Sequence, residues 1–295
     1  MTFPAKLRTV LEMIKFEHSI FALPFALTGA LLAVRGTDLT AGQVAAKLGW
    51  IIVAMVAARS AAMAFNRVAD AEIDAANPRT ATRAIPAGVL SKSFTWGFIA
   101  LWSAVLFFVA YMLNPLCFSL APVALAVVCG YSYTKRFTAL SHLVLGFALG
   151  IAPAAAWIAV RGTLDAPILL LTAAVMCWTA GFDIIYSCQD YDFDRRAGLF
   201  SLPKSLGIAR SLTVARILHV VMIMLLTALV DALNLGWLAL AGIVAVAALL
   251  VYEHSLVKPH DLSRVNAAFF TVNGYVSVLF FFFWAADIYL LPAAG

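Results

Sequence analysis

The chain has 295 residues, 64% of them hydrophobic and only 12% charged, with a net charge of +5. A soluble domain carries about 25% charged residues, so this composition excludes an ordinary soluble enzyme and indicates a membrane protein. The four cysteines (Cys117, Cys129, Cys177, Cys188) have no metal-ligand spacing and no compact extracellular framework around them, which argues against a disulfide scaffold.

Residues 1–17 are neither a span nor a signal peptide, since no small-residue cleavage site follows. Leu7, Val10, Leu11 and Ile14 make one apolar stripe with Lys6, Arg8, Glu12 and Lys15 largely off it, the pattern of an amphipathic helix lying on a membrane surface. Crossing the bilayer core takes about 20 apolar residues. Nine such runs follow: 18–36, 43–65, 94–113, 116–134, 141–160, 166–187, 212–230, 235–252 and 267–290. The expectation is therefore an all-α membrane protein of nine transmembrane helices forming a single domain over 1–295.

The connections after runs 2 and 6 are long and charged, whereas those after runs 3 and 7 are short and lack Lys and Arg. Sixteen of the twenty basic residues fall in the N-terminal segment or near the connections 2–3, 4–5, 6–7 and 8–9. Only Arg35, Lys47 and Arg161 lie at the other ends of the runs, and Arg59 is inside one. Positive charge marks the cytoplasmic side, so the N-terminus and the loops 67–93 and 188–211 are expected there, with the C-terminus opposite.

Two acidic clusters stand out. "NRVADAEID" (Asn66–Asp74) closes the second run, and "DIIYSCQDYDFD" (Asp183–Asp194) closes the sixth. Asp190 and Asp194 repeat the spacing of Asp70 and Asp74 at a distance of 120 positions, as an internal repeat would. On a helix, residues four apart share a face. Asn66, Asp70 and Asp74 should point together, as should Tyr186, Asp190 and Asp194 with Asp183 one turn earlier. Glu72 and Asp192 should point away as solvated charges. Like charges four apart repel, so two such faces meeting at one cavity call for cations. Mg²⁺ suits them, because it uses one or two carboxylates together with substrate phosphates. The competing reading is two hydrated helix ends, which does not account for the match in spacing and position. Arg79 and Arg83 after the first cluster, and Lys135 and Arg136 at the end of run 4, fit an anionic diphosphate. Arg195, Arg196 and Lys204 fit that role and simple topology enforcement equally.

With these motifs in order, the chain resembles the UbiA family of intramembrane aromatic prenyltransferases. The likeness rests on "EHSIFALPFAL", "NRVADAEIDAANPRT", "YSYTKRFT" and "DIIYSCQDYDFD" and spans nearly the whole chain. It implies nine helices around a central cavity capped by the two loop regions. It also implies two Mg²⁺ ions (Mn²⁺ substituting) between a polyprenyl diphosphate and Asp70, Asp74, Asp190 and Asp194. Tyr131, Tyr186 and Gln189 join Asn66, Arg79, Arg83 and Lys135 as candidate substrate-binding residues. Arg59 stands seven residues before Asn66, where matching members carry an arginine close to the aromatic acceptor. A structural ion pair with a motif aspartate is the plainer role for it. The implied partners are polyprenyl diphosphate, a small aromatic carboxylate and membrane lipid, with no nucleic acid.

Members acting on 4-hydroxybenzoate often read Arg-Pro-Leu where this chain has Arg83-Ala84-Ile85, and Asn-Asp where it has Asn66-Arg67. "QDYDFDRR" looks closer to bacterial members of quinone synthesis, some of which prenylate 1,4-dihydroxy-6-naphthoate; the bacterial inner membrane follows as location. Ionisation of the diphosphate would leave an allylic cation, shielded by a dry aromatic cavity, for attack by the acceptor ring. Asp183 is a candidate to position the acceptor or take its proton. The "LFFFFW" run (Leu279–Trp284) lines a prenyl tunnel or faces lipid, and His18 is better read as structural than catalytic. A cation-coupled transporter would place its acids near the midplane. A CDP-alcohol phosphotransferase would carry a single glycine-containing motif, and a purely structural protein leaves the matched clusters unexplained.

Overall fold

The computed structural model describes residues 3–13, with side chains from Leu7 onward, and residues 21–291. Ile14, Lys15 and His18 and the side chain of Lys6 lie outside the described residues. The elements are α1 (Phe3–Met13), α2 (Leu23–Val34), α3 (Ala41–Ala69), α4 (Ala71–Ala76), α5 (Lys92–Leu113) and α6 (Pro115–Gly130). A 3₁₀ extension of α6 covers Tyr131–Arg136, followed by α7 (Ser141–Arg161) and α8 (Ala166–Ser187). After a 3₁₀ turn at Cys188–Asp190 come α9 (Tyr191–Ala197), α10 (Leu202–Leu206), α11 (Ile208–Ala232) and α12 (Trp237–Leu256). A π-helical stretch, Ala267–Val272, then leads into α13 (Asn273–Leu290).

Eight helical stretches among the described residues are long and apolar enough to cross a membrane, and α2 is a shorter apolar helix. Together they match the nine expected runs; the opening residues of the first, 18–20, lie outside the described residues. Helix starts follow local chemistry. Thr40 and Gln43 form a reciprocal capping box at α3, with Gln43 N–H donating to Thr40 Oγ1 at 3.3 Å and Thr40 N–H to Gln43 Oε1 at 2.9 Å. That cap starts α3 two residues earlier than the hydrophobic run alone suggests. At α6, Asn114 caps the Cys117 amide at 2.8 Å and Pro115 takes the first helical position, where its missing N–H costs nothing.

The main core lies between α2, α7, α8, α11, α12 and α13. Phe25 stacks on Phe280 at 4.6 Å and lies 4.9 Å from Trp178, all three fully buried. α7 and α8 approach to backbone contact where Gly146 and Gly150 face α8; a Cβ at Gly150 would stand 2.8 Å from the Thr172 carbonyl. Small residues at this spacing let two membrane helices approach to backbone contact. The outward faces stay apolar: Leu101 is 60% exposed, Met224 65% and Val251 72%. Such a band is stable only in lipid. This is an integral membrane protein.

The "LFFFFW" run divides by helical face. Phe280 and Trp284 are fully buried in the core, while Phe282 is 63% exposed and points outward. The stripe on α1 divides too. Val10 is fully buried in a second cluster with Ala71, Ile85, Leu90 and Phe98, Leu11 packs against it, and Leu7 is exposed. α1 therefore rests partly on the protein, over the loop that follows α3.

At the start of α13 the wider π turn displaces carbonyls from their usual amide partners. Asn273, fully buried, supplies the missing donors: its Nδ2 reaches the Ala268 carbonyl at 3.1 Å, the Phe269 carbonyl at 3.2 Å and Glu253 Oε1 at 2.9 Å. Its Oδ1 accepts from Trp178 Nε1 at 2.8 Å. This clamp holds Phe269 against Tyr186, with ring centroids 4.1 Å apart.

Candidate active site

Each acidic cluster sits where a long helix breaks. α3 stops at Ala69 and α4 begins at Ala71, with Asp70 between them at φ −94°, ψ 6°. The 3₁₀ turn after α8 ends at Asp190, at φ −95°, ψ 6°, and α9 begins at Tyr191. Two aspartates 120 residues apart thus hold the same backbone state, which supports the internal repeat. The i, i+4 register survives the first break: the Asp70 amide donates to the Asn66 carbonyl at 2.9 Å and the Asp74 amide to the Asp70 carbonyl at 2.8 Å. Asp70, Asp74 and Asp194 are buried and Asp190 half-buried, whereas Glu72 and Asp192 are exposed.

The clusters are bound to cations, and in part to each other. Asp70 Oδ2 accepts from Lys135 Nζ at 2.7 Å and from Asn66 Nδ2 at 3.0 Å; Asn66 also reaches Ser132 Oγ at 3.3 Å. Arg83 Nη1 donates to both oxygens of Asp74 at 2.7 Å, and Arg67 Nη1 stands 3.9 Å from Asp74 Oδ2. Arg79, carried by the loop after the first cluster, crosses to the second. Its Nε meets Asp190 Oδ1 at 3.0 Å and its Nη2 meets Oδ2 at 2.6 Å, a two-pronged fork. Asn77 Nδ2 joins at 3.1 Å on Oδ1. Arg79 also donates to the Tyr186 hydroxyl at 3.2 Å and lies 5.5 Å from that ring's centroid. Burial works against the Arg79 charge, but the hydrogen bond and charge of Asp190 outweigh it and hold the guanidinium pKa above its ordinary value.

Asp183, half-buried one turn before the second cluster, accepts a 2.6 Å hydrogen bond from the buried His142. His142 Nε2 faces the Leu202 amide at 3.4 Å, so the neutral ring carries its proton on Nδ1. Tyr131 opens the 3₁₀ extension of α6, next to Ser132, which takes a hydrogen bond from Asn66. Gln189 turns back to the Tyr186 carbonyl at 3.2 Å. The Phe200 amide donates to the Lys135 carbonyl at 2.8 Å, tying the second loop to the end of α6. Lys204 Nζ is engaged with the Leu199 carbonyl at 2.6 Å, and Arg195 stacks over Tyr191. These contacts bring neither Lys204 nor Arg195 to a motif aspartate.

Three participants were not singled out from sequence. Asn77 lies inside the quoted "NPRT" stretch, but its reach of 113 residues to Asp190 leaves no local mark. Arg67 appeared only as a departure from a family pattern. His142 opens α7 and meets Asp183 across the α7–α8 contact, so only the tertiary packing reveals it.

The donor set suits a hard divalent cation. Every candidate ligand is a carboxylate oxygen, and Asp70 Oδ1 is buried with no hydrogen-bond partner. No group of three or more His, Cys, Asp or Glu side chains among the described residues converges to hold an ion alone.

The sequence model of the UbiA prenyltransferase family matches residues 22–288. The chain belongs to this family. The 4-hydroxybenzoate octaprenyltransferases of Citrobacter koseri and Salmonella newport are each 30% identical to it over 237 residues, covering 79% of this chain and 81% of theirs. The structure is similar to the apo structure of a UbiA homolog from Aeropyrum pernix K1, with TM-score 0.82, 35% identity and coverage of 92% of this chain and 98% of that one. A UbiA homolog from Archaeoglobus fulgidus bound to DMAPP and Mg²⁺ shares the fold at TM-score 0.71 and 18% identity, covering 96% of this chain and all of that one. The protein is accordingly a UbiA-family prenyltransferase.

Proposed function

We propose that this membrane prenyltransferase transfers a polyprenyl group from polyprenyl diphosphate to a small aromatic carboxylate of the 4-hydroxybenzoate type, in quinone biosynthesis. The observation that carries this reading is the crossing of Arg79 and Asn77, from the loop that follows the first acidic cluster, to Asp190 of the second. It links the loop after the first carboxylate face to the second face, beside the Tyr186 and Phe269 rings. The relatives named as 4-hydroxybenzoate octaprenyltransferases support the acceptor class. The Archaeoglobus homolog bound to DMAPP and Mg²⁺ supports the donor and the metal.

In this reading Asp70, Asp74, Asp190 and Asp194 would hold two Mg²⁺ ions, with Mn²⁺ able to replace them. Bound metal supplies Lewis-acid stabilisation of charge on the leaving diphosphate. Lys135, Arg79 and Arg83 exchange their carboxylate partners for phosphate oxygens as the substrate enters, keeping positive charge where negative charge grows. Tyr186 and the aromatic rings behind it shield the allylic carbon from water after its carbon–oxygen bond breaks. The acceptor ring forms the new carbon–carbon bond, and Asp183, held by His142, takes the displaced ring proton. Asn66, Tyr131 and Gln189 shape the cavity, and Arg59 receives the acceptor carboxylate through its planar fork.

The departure at Arg67 keeps a second acceptor, 1,4-dihydroxy-6-naphthoate, beside the first. Arg67 replaces the acid often present in 4-hydroxybenzoate enzymes, and its side chain, only 12% exposed, stands beside Asp74. Turnover of a labelled polyprenyl diphosphate with each acceptor separates the two. The chain functions as a single domain in the bacterial inner membrane, in contact with its lipid, with the N-terminus and the loops 67–93 and 188–211 cytoplasmic, as the basic residues indicate.

A further inference from the structure

Outside the acidic clusters, a cavity of about 210 Å³ opens between α3, α5 and the 3₁₀ end of α6. Its chemistry is mixed in an informative way. Phe65, Trp96 and Tyr133 give aromatic walls, Lys92 and Arg136 give positive charge, and Glu72 gives negative charge. Phe65 meets Trp96 and Tyr133 edge-on at 5.7 and 5.8 Å, so the three rings form one framework. Arg136 stacks over Tyr133 at 5.0 Å. Lys92 and Glu72 are exposed and make no hydrogen bond or ion pair among the described residues.

The cavity's position limits its occupant. All three elements end here, at the level where membrane helices meet water, and Trp96 and Tyr133 are 47% and 41% exposed on the outer face of the bundle. Aromatic side chains gather at this level, beside lipid headgroups. A purely anionic headgroup would face Glu72, and a purely cationic ligand would face Lys92 and Arg136. A zwitterion with a phosphate and a primary ammonium satisfies both, because its N–H groups can donate to Glu72 as a quaternary ammonium cannot, and the exposed Trp96 ring adds to the attraction.

We propose that this cavity binds the headgroup of a phosphoethanolamine lipid, its phosphate between Lys92 and Arg136 and its ammonium on Glu72. The site borders the catalytic region, because Arg136 Nη2 also bonds the Ala69 carbonyl and lies 3.7 Å from Asp70 Oδ1. The lipid phosphate therefore shares a guanidinium with the first acidic cluster.

Native mass spectrometry tests this without reference to turnover. The delipidated full chain is offered an equimolar mixture of phosphatidylethanolamine, phosphatidylcholine and phosphatidylglycerol with identical acyl chains. The expected result is preferential retention of one phosphatidylethanolamine, by about fivefold over the others, the worth of one partly solvated charge pair. Glu72→Gln should abolish that preference while phospholipid still binds, and Lys92→Ala should weaken retention of all three. Equal or better retention of phosphatidylglycerol or phosphatidylcholine by the unaltered chain, or a preference that survives Glu72→Gln, overturns the proposal.

Discussion

Replacing Arg79 by Ala separates a catalytic cation from a structural one. In the structure its guanidinium makes two charge-assisted bonds to Asp190, at 3.0 and 2.6 Å, and a third bond to Tyr186 at 3.2 Å. The Arg79 side chain is 34% exposed and that of Asp190 20%, so solvent screens the pair and its contribution to stability is about 0.5–1 kcal/mol. The thermal midpoint should therefore fall by only about 1–2 °C. Substrate binding is a different matter. If Arg79 turns to the diphosphate with two N–H groups, losing those bonds to a charged acceptor removes about 3 kcal/mol, or roughly 100-fold in kcat/KM for the prenyl donor. Arg79→Lys keeps the charge without the fork and should recover about half of that free energy. The assay is initial-rate kinetics against polyprenyl diphosphate at saturating acceptor, beside a melting curve of each variant. An Arg79→Ala protein with kcat/KM within about twofold of the parent, in either case less than 1 kcal/mol, would refute the exchange of partners and leave Arg79 as a bracket between loops.

The remaining predictions concern metal, acceptor and topology. Asp70→Asn and Asp190→Asn should each lower turnover by about a thousandfold in a folded protein, while the exposed Asp192→Asn stays near the parent rate; equal losses at all three positions would contradict the observed burial pattern. Excess chelator should abolish turnover, and either Mg²⁺ or Mn²⁺ should restore it. Arg59→Ala should raise the acceptor KM about tenfold or more, the worth of one charge-assisted contact, with the prenyl-donor KM unchanged; the reverse pattern would move Arg59 to the diphosphate end. In a cysteine-depleted chain, an impermeant thiol reagent applied outside intact cells should label Asp38→Cys and miss Thr82→Cys, both exposed positions; the opposite labelling would invert the orientation.

The bundle was legible because membrane helices are written as long apolar runs, and the runs at 141–160 and 166–187 match α7 and α8 to within a residue. The paired aspartates were legible through their spacing and their place at the ends of runs 2 and 6. The break at Asp70 was not, since i, i+4 spacing looks the same across a helix junction that keeps its backbone bonding. His142 and Asn77 were hidden for another reason. Their partners, Asp183 and Asp190, lie 41 and 113 residues away, and packing alone brings them together. Arg79 and Arg83 were read as diphosphate ligands, but which carboxylate each one holds is set by the turn at Asn77–Thr80. There Asn77 Oδ1 caps the Arg79 amide at 3.0 Å and Thr80 Oγ1 bonds the Asp74 carbonyl at 3.0 Å.

The most direct test of prenyl transfer to an aromatic carboxylate uses the purified chain in lipid nanodiscs with Mg²⁺, a labelled polyprenyl diphosphate and either 4-hydroxybenzoate or 1,4-dihydroxy-6-naphthoate. The account predicts a lipid-soluble, carbon-prenylated product from at least one acceptor, formed only when metal is present and lost in Asp70→Asn. Diphosphate hydrolysis without acceptor coupling in both reactions, or product formation that is indifferent to chelator, would contradict it.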